Sequence, residues 1–516
     1  MIEVNKHVPD DYMDEVFHGP QSRHYCHGAF EVWHPKITTF PGIYYLATVY
    51  GWCRWAVQAA LLKQPLDMDA ACATPYLRTL NVVLSVACLL VLRAILLQLQ
   101  QQQQHPQQTQ QTQQTQHQQK QPQQQQQGQR LQSRSHGAAR PASAPVSASL
   151  HAALLALYPL HWFFSFLLYT DVASLLGLLL AHLAALRRHY LLAALAGGAA
   201  VLCRQTNAVW AAFVLGEAAL RELGLATAVA LPCGSNSSAA AAAVGGAGSS
   251  TAVAEKEAAL ATAEVAEAEA GLVGELKVAA ARAWRRRGQL VAALWPLLLP
   301  PAGFVAFLIR NGGSVVLGDK EAHKPVRHGA QLLYFAGWSA LMLWPQLWPA
   351  AGALAAAARR RPLLAGVTAA AGLAAAAGVV HVSTLVHPYM LADNRHYVFY
   401  LWRRLINRHR LARYALAPAY VAACALLVAA ARRRVSRLWL AGFAVCLVAQ
   451  LLPAWLLELR YFTPGFFLLA LHLPPPSPRQ AAGLAATYLA VDGASAALFL
   501  YRPYTFADGS VARFLW

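Results

Sequence analysis

The sequence predicts an all-α, polytopic membrane protein, on three observations. Hydrophobic residues make up 57% of the 516 and charged residues only 13%. Apolar runs recur near the length of about 20 residues that a helix needs to cross a bilayer. Arginines collect in alternate connections between those runs, the distribution expected of cytosolic loops. The 42 Lys and Arg against 23 Asp and Glu leave a formal charge of +19. A chain this apolar is no nucleic-acid binder, and one this poor in acids is no ordinary soluble enzyme.

Residues 1–76 read as a luminal loop carrying an interfacial helix over 43–62. That segment is apolar enough to span, but Arg54 lies at its middle, where a charge costs about 2.5–3.5 kcal/mol. Tyr44, Tyr45, Tyr50, Trp52 and Trp55 suit the bilayer interface instead. The stretch Ile2 to Phe17 opens the chain with no apolar segment before it, so the first span is expected to be missing.

A membrane span occupies 77–97, on an apolar run that reaches 99. Residues 98–147 form a Gln-rich cytosolic insert, expected to be disordered because polar side chains cannot offset the entropy of ordering. Spans near 148–169, 172–187, 190–203 and 207–223 fill 148–223. An Ala-rich cytosolic insert takes 224–288, partly helical over 252–281. Spans near 289–309, 329–349, 363–386, 412–431, 438–456, 461–473 and 481–500 fill 289–501 with luminal loops between them, and 502–516 is a luminal tail. The count is about 12 spans.

The cytosolic connections carry Arg187 and Arg188, Arg282 with Arg285 to Arg287, Arg359 to Arg361, and Arg432 to Arg434 with Arg437. The opposite connections differ in chemistry: Asp14 and Glu15, Thr170-Asp171, Arg204 to Asn207, Asn311 to His323, His387 to His396, and Glu458 to Tyr461. Acids, bases, amides and aromatics gather there on one side of the membrane.

The eight cysteines, Cys26, Cys53, Cys72, Cys88, Cys203, Cys233, Cys424 and Cys446, show no CxxC and no zinc spacing. They are expected to be small buried apolar residues. Asp67-Met68-Asp69 has the DxD spacing of soluble nucleotide-sugar transferases, but no strand-and-helix alternation surrounds it, so that reading is rejected. Asn236-Ser237-Ser238 is a glycosylation sequon in a cytosolic insert and should stay unmodified. No phosphate-binding glycine loop is present and no cofactor is expected; a divalent-metal requirement is left open.

Each polar cluster has two readings. Tyr12-Met13-Asp14-Glu15 is either a solvated acidic loop or a carboxylate placed to take a proton from a hydroxyl. Arg204-Gln205-Thr206-Asn207 is either a snorkelling Arg with a helix cap or a set of donors for phosphate and sugar hydroxyls. Asn311-Gly312-Gly313 reads as a turn. His387 to Tyr397, followed by Trp402-Arg403-Arg404, is either a basic aromatic belt or a site for a phosphate leaving group and stacked sugars. Arg460 has the same two readings.

Taken in order, these motifs resemble the endoplasmic-reticulum α-1,2-glucosyltransferases that use dolichyl-phosphate glucose to complete the lipid-linked oligosaccharide. The resemblance is carried by Tyr12 to Glu15 with Phe17-His18, by Trp33 to Gly42, and by Arg204 to Asn207. It continues through Asn311 to Asp319, Leu391 to Tyr397, Glu458 to Phe462 and Arg513 to Trp516. It implies a GT-C type glycosyltransferase with about 12 spans here and the usual first span missing. The implied partners are dolichyl phosphate glucose, a lipid-linked oligosaccharide acceptor and membrane lipid, with the site facing the lumen of the endoplasmic reticulum. An inverting displacement then needs a base, for which Asp14 and, second, Glu15 stand. Arg204, Arg395, His396 and Arg460 are the implied cations for the departing phosphate. Gln205, Asn207, Asp393, Asn394 and Tyr397 are the implied sugar-binding groups. Against this stand a non-catalytic scaffold, a transporter with midplane charges and repeated halves, or another dolichol-dependent transferase of the same fold.

Overall fold

The computed structural model describes residues 1–62, 67–119, 144–227 and 262–516. The regular elements of the described residues are helices except for one antiparallel hairpin, Tyr504–Thr505 with Val511–Ala512. Asn236 and residues 120–143 of the Gln-rich insert lie outside the described residues.

Among the described residues, five helices are long and apolar enough to cross a membrane: Thr74–Gln102, Arg287–Arg310, Pro362–Ser383, Ala412–Ala431 and Pro478–Tyr501. Four shorter apolar helices accompany them, Thr170–Leu186, Tyr190–Cys203, Arg437–Leu451 and Leu459–Leu471. About 12 spans were expected; several apolar runs turn out to be broken or short. The run 148–169 is split into Ala148–Ala156 and Pro159–Phe164, because a residue preceding proline is pushed out of helical geometry. The run 329–349 likewise breaks at Leu343, ahead of Pro345.

The described part of the glutamine tract is more helical than composition suggested, whereas the Ala-rich insert is partly helical as expected. The helix that begins at Thr74 continues to Gln119, well into the glutamine tract. Glutamine is a good helix former, and extending an existing helix avoids the cost of nucleation. In the Ala-rich insert, 262–269 and Leu272–Arg285 are helices.

The core is aromatic. Tyr158 stacks on Phe466 at 3.9 Å, Trp439 lies parallel to Phe443 at 5.5 Å, and Trp210 donates to Gln450 at 2.9 Å. Large apolar side chains such as Leu363, Leu364 and Val367 are left exposed, as helices facing lipid require.

One face of the bundle carries an irregular cap. Its first part is the helix Glu15–Cys26, tied by a Cys26–Cys72 disulfide to the start of the Thr74 helix. This corrects the expectation for those two cysteines: 46 residues separate them, and no spacing pattern marks such a pair. Cys88 and Cys203 are buried as expected, whereas Cys53 is exposed. The segment 43–62 is one helix, Gly42–Leu62; Arg54 lies 3.2 Å over the Tyr76 ring and donates to the Ala70 and Ala71 carbonyls.

The loop 35–39 is pinned against the turn 311–319. Leu317 and Gly318 donate to the carbonyls of Thr38 and Ile37, and a Cβ on Gly318 would lie 2.1 Å from the Pro35 carbonyl. Gly312 and Gly313, at φ 68° and 80°, make the turn the sequence predicted. The last residues complete the cap: Leu515 donates to the Arg395 carbonyl at 3.0 Å, and Tyr397 donates back to Leu515 at 2.9 Å. Tyr12 and Arg513 exchange two hydrogen bonds of 2.8 and 2.6 Å.

Candidate active site

The cap and three helix starts converge on one guanidinium. Arg460 opens a short turn of 3-10 helix, Leu459–Phe462, and is packed beneath the cap. Its Nη1 lies 2.9 Å from Asp14 Oδ2 and 3.8 Å from Asp171 Oδ2, and its Nε donates to Glu458. The Tyr169 ring lies 5.3 Å from the same guanidinium. Asp171 also accepts from Arg204, which sits 5.3 Å over the Tyr461 ring. Three carboxylates and two guanidiniums therefore form one network with an excess negative charge.

Asp14 caps the helix Glu15–Cys26 and follows Met13, which adopts a left-handed conformation at φ 57°. A non-glycine residue held there is strained, and such strain persists where surrounding contacts over-determine it. The Asp14 N–H donates to the Tyr169 hydroxyl at 3.3 Å. Burial raises the Asp14 pKa, but the charge of Arg460 and its hydrogen bond outweigh it, so the carboxyl is held below its ordinary value. His18 donates to or accepts from Tyr44 at 2.7 Å; burial brings its pKa down to about 4. It is therefore neutral at physiological pH.

Glu15 is adjacent in sequence but belongs to the fold. It is fully buried, with Arg78 forked onto it at 2.9 and 2.6 Å. The backbone N–H groups of Leu168 and Tyr12 donate to the same carboxylate at 2.7 and 3.1 Å. A carboxylate with four donors has no lone pair facing a cavity, which removes it as the second base.

A cavity of about 480 Å³ opens on the other side of Asp14, lined among others by Met13, Tyr389, Asp393, Arg395, His396 and Glu458. Asp393 is forked by Arg395 at 2.8 Å to each oxygen and lies 3.7 Å from His396. Burial raises the Asp393 pKa but the Arg395 hydrogen bonds outweigh it, leaving it below its ordinary value. Glu458 is lowered in the same way, the Arg460 charge outweighing burial. A second cavity of about 180 Å³ is mainly apolar and reaches Thr38, Arg204, Gln205, Phe304, Trp455 and Tyr461. Leu456 lines both cavities.

The remaining sequence-predicted residues divide. Gln205 borders the second cavity while donating to the Thr38 carbonyl at 3.0 Å. Asn207 is buried between helices, donating to Ser174 at 2.6 Å and to the Ala200 carbonyl at 2.9 Å, so it fastens helices and faces neither cavity. Asn394 accepts from Tyr504 at 2.8 Å and holds the hairpin. Tyr397 packs its ring 4.7 Å from Trp516. These three side chains bind the protein to itself. Asp69 pairs with His27 at 2.9 Å on the exposed surface, apart from either cavity.

Sequence reasoning missed Asp171, Glu458 and Tyr169 as members of the network. The signal available was position alone: each lies in a connection on the same side as Asp14.

The DIE2/ALG10 family matches residues 8–471 of the chain. A "Dol-P-Glc:Glc(2)Man(9)GlcNAc(2)-PP-Dol alpha-1,2-glucosyltransferase" of Arabidopsis thaliana is 32% identical, covering 100% of this chain and 96% of the relative. Relatives of the same description from Mus musculus and Homo sapiens are 28% and 27% identical, each covering 98% of this chain and 93% of the relative. No solved structure matches the chain.

Proposed function

Since the chain belongs to the DIE2/ALG10 family, we propose that the two cavities beside Arg460 are the acceptor and donor sides of one glucosyl-transfer site. The chain is an all-α polytopic membrane protein of the GT-C superfamily and a dolichyl-phosphate-glucose-dependent α-1,2-glucosyltransferase of the endoplasmic reticulum. It transfers glucose to the terminal glucose of Glc2Man9GlcNAc2-PP-dolichol, the last step of lipid-linked oligosaccharide assembly.

The observation that carries the site reading is the position of Asp14, which faces the larger cavity while Arg460 holds it ionised. Asp14 takes the proton from the acceptor 2-hydroxyl. That oxygen attacks C1 of the donor glucose from the face opposite the phosphate. The C1–O bond to phosphate breaks, its electron pair stays on the phosphate oxygen, and configuration at C1 inverts. Arg204, at the rim of the apolar cavity, faces the departing phosphate, and the lipid chain lies along Phe304 and Trp455. Arg460 keeps Asp14, Asp171 and Glu458 in register and is a positioning residue. Asp393, Arg395 and His396 bind acceptor hydroxyls across the larger cavity. A lone carboxylate at this point would be pushed towards its neutral acid by burial and lose its value as a base.

The cap faces the lumen in this reading. The Cys26–Cys72 bond supports that side, because disulfides form and persist in oxidising compartments. The shorter apolar helices also enter the bilayer, and with them Asn207–Glu222 and the two broken runs 148–169 and 329–349, for about 12 crossings.

The test is glucose transfer in microsomes lacking the endogenous terminal glucosyltransferase, supplied with this chain or with Asp14→Asn. Transfer to the diglucosylated oligosaccharide is expected with the former, and a loss of about 10²–10⁴-fold with the latter at equal protein level. Unchanged transfer by Asp14→Asn would remove Asp14 as the base.

A further inference from the structure

The helices that present Asp171, Arg204 and Arg460 to the site carry a second polar cluster at their other ends. His182 lies near the end of Thr170–Leu186, Glu217 near the end of Asn207–Glu222, and His472 immediately after Leu459–Leu471. They are 1%, 3% and 5% exposed. One ligand atom from each lies within 4.8 Å of the others. Glu217 Oε2 is 3.2 Å from His182 Nε2, and Glu217 Oε1 is 3.1 Å from His472 Nε2.

Hydrogen bonding leaves this cluster unsatisfied. His472 Nδ1 lies 2.8 Å from the Leu468 carbonyl, which only accepts, so Nδ1 carries the proton of a neutral ring. The lone pair on Nε2 then faces a carboxylate oxygen. His182 Nδ1 has no hydrogen-bond partner, and its Nε2 lies 3.2 Å from Glu217 Oε2 without a well-directed hydrogen bond. Arg221 forks onto Glu217 Oε1 at 3.0 and 2.6 Å and leaves Oε2 turned towards His182. One shared proton satisfies one imidazole and not the other. A buried acceptor without a partner costs about 1–3 kcal/mol, and here several meet in one place.

A cation at the centre satisfies all three groups. Metal–ligand bonds of about 2.0–2.2 Å in tetrahedral geometry put ligand atoms roughly 3.3 Å apart, inside the 4.8 Å that encloses one ligand atom from each residue, the two imidazoles approaching different oxygens of Glu217. The Leu468 carbonyl fixes the His472 ring as outer-shell acceptors do for metal-bound histidines. A cavity of about 20 Å³, lined by Gln102, Arg221, Arg434 and His472, adjoins the cluster on the His472 side and is large enough for one water.

We propose that His182, Glu217 and His472 bind one divalent transition-metal ion, with Zn²⁺ the species best matched to two imidazoles and one carboxylate. The ion is structural: it clamps three helices at one end, about 16–20 Å from the charges they display at the other. Sliding of any one helix would misplace Asp171, Arg204 or Arg460 in the network around Asp14.

The test reads metal, independently of transfer activity. The full chain, purified in nanodiscs without chelator, is expected to hold about one zinc per chain with nitrogen and oxygen neighbours at about 2.0–2.1 Å by X-ray absorption. Stripping with a strong chelator and adding Co²⁺ should give the visible absorption of a tetrahedral site. His182→Gln and Glu217→Gln should lose the ion, and Asp14→Asn should keep it. Substoichiometric zinc with no cobalt band would overturn the proposal in favour of an imidazolium–carboxylate cluster, as would full retention of zinc by His182→Gln. If the variants fail to fold, the stoichiometry and cobalt spectrum of the unaltered chain decide alone.

Discussion

Arg460 and Asp14 meet at 2.9 Å across 446 residues of chain. The base of the proposed reaction and the cation that sets its ionisation therefore come from opposite ends of the sequence. Because Asp171 and Glu458 share that guanidinium, Arg460 cannot leave to follow the phosphate without leaving three carboxylates together. This separates Arg460, which positions, from Arg204, which faces the donor side.

Transfer should depend on pH through Asp14 alone within the acidic range. Its carboxyl is held low because the Arg460 charge and hydrogen bond outweigh burial. The active form is the carboxylate, so the rate stays flat as pH falls from neutrality to about 5 and declines only near or below the ordinary Asp value of about 3.9. His18, brought down to about 4 by burial, adds no inflection near 6.5. A rate profile in detergent over this range checks both points, and a midpoint near 6.5 would contradict them.

Arg204→Gln should lower kcat by about 10²-fold, the effect of removing one donor that stabilises developing charge. The fold should persist, because the substituted amide can still donate to Asp171. Single-turnover transfer with saturating donor separates this from a simple loss of donor binding.

Glu15→Gln should behave unlike Asp14→Asn. It breaks a fully buried pair with Arg78, an event that costs about 3–5 kcal/mol. Lower yield and a lower unfolding temperature are expected, with near-normal specific activity in the surviving protein. Combining Glu15→Gln with Arg78→Met removes the uncompensated charge and should recover part of the loss.

Cys26→Ala should destabilise the cap by about 4 kcal/mol from loop-closure entropy over the 46 residues enclosed. Reductant should reproduce the effect in the unaltered chain and do nothing further to the variant. Thermal unfolding with and without reductant reads the difference.

Asp508→Asn completes an Asn-x-Ser sequon ahead of Ser510 on the exposed hairpin tail. A glycan removable by endoglycosidase is expected there, whereas Asn236 should remain bare. The opposite pattern would invert the chain in the membrane.

The sequence disclosed the membrane class and the side on which chemistry collects, because apolar length and arginine placement are local properties. Asp14, Arg204, Arg395 and Arg460 were legible as polar residues at the ends of apolar runs. The split of 148–169 at Pro159 was legible too, had the proline been weighed against the hydropathy of the run. Other features depend on three-dimensional closure. Asp14 and Glu15 differ only in the direction each points from a helix start, which Met13 decides by its left-handed turn. Cys26 and Cys72 carry no pattern, and His182, Glu217 and His472 are lone polar residues in separate apolar runs.

The strand-like pairing of Leu515 with Arg395 and Tyr397, and the double bond of Tyr12 with Arg513, set a clock on biogenesis. A ribosome adding about 5–20 residues per second delivers Asp14 long before Arg460 and Arg513 exist. Through most of its synthesis the nascent chain carries a half-built pocket whose acid has no counter-ion. Catalytic competence should thus wait for residues 513–516, and products cut short before them should be inert and consume no donor.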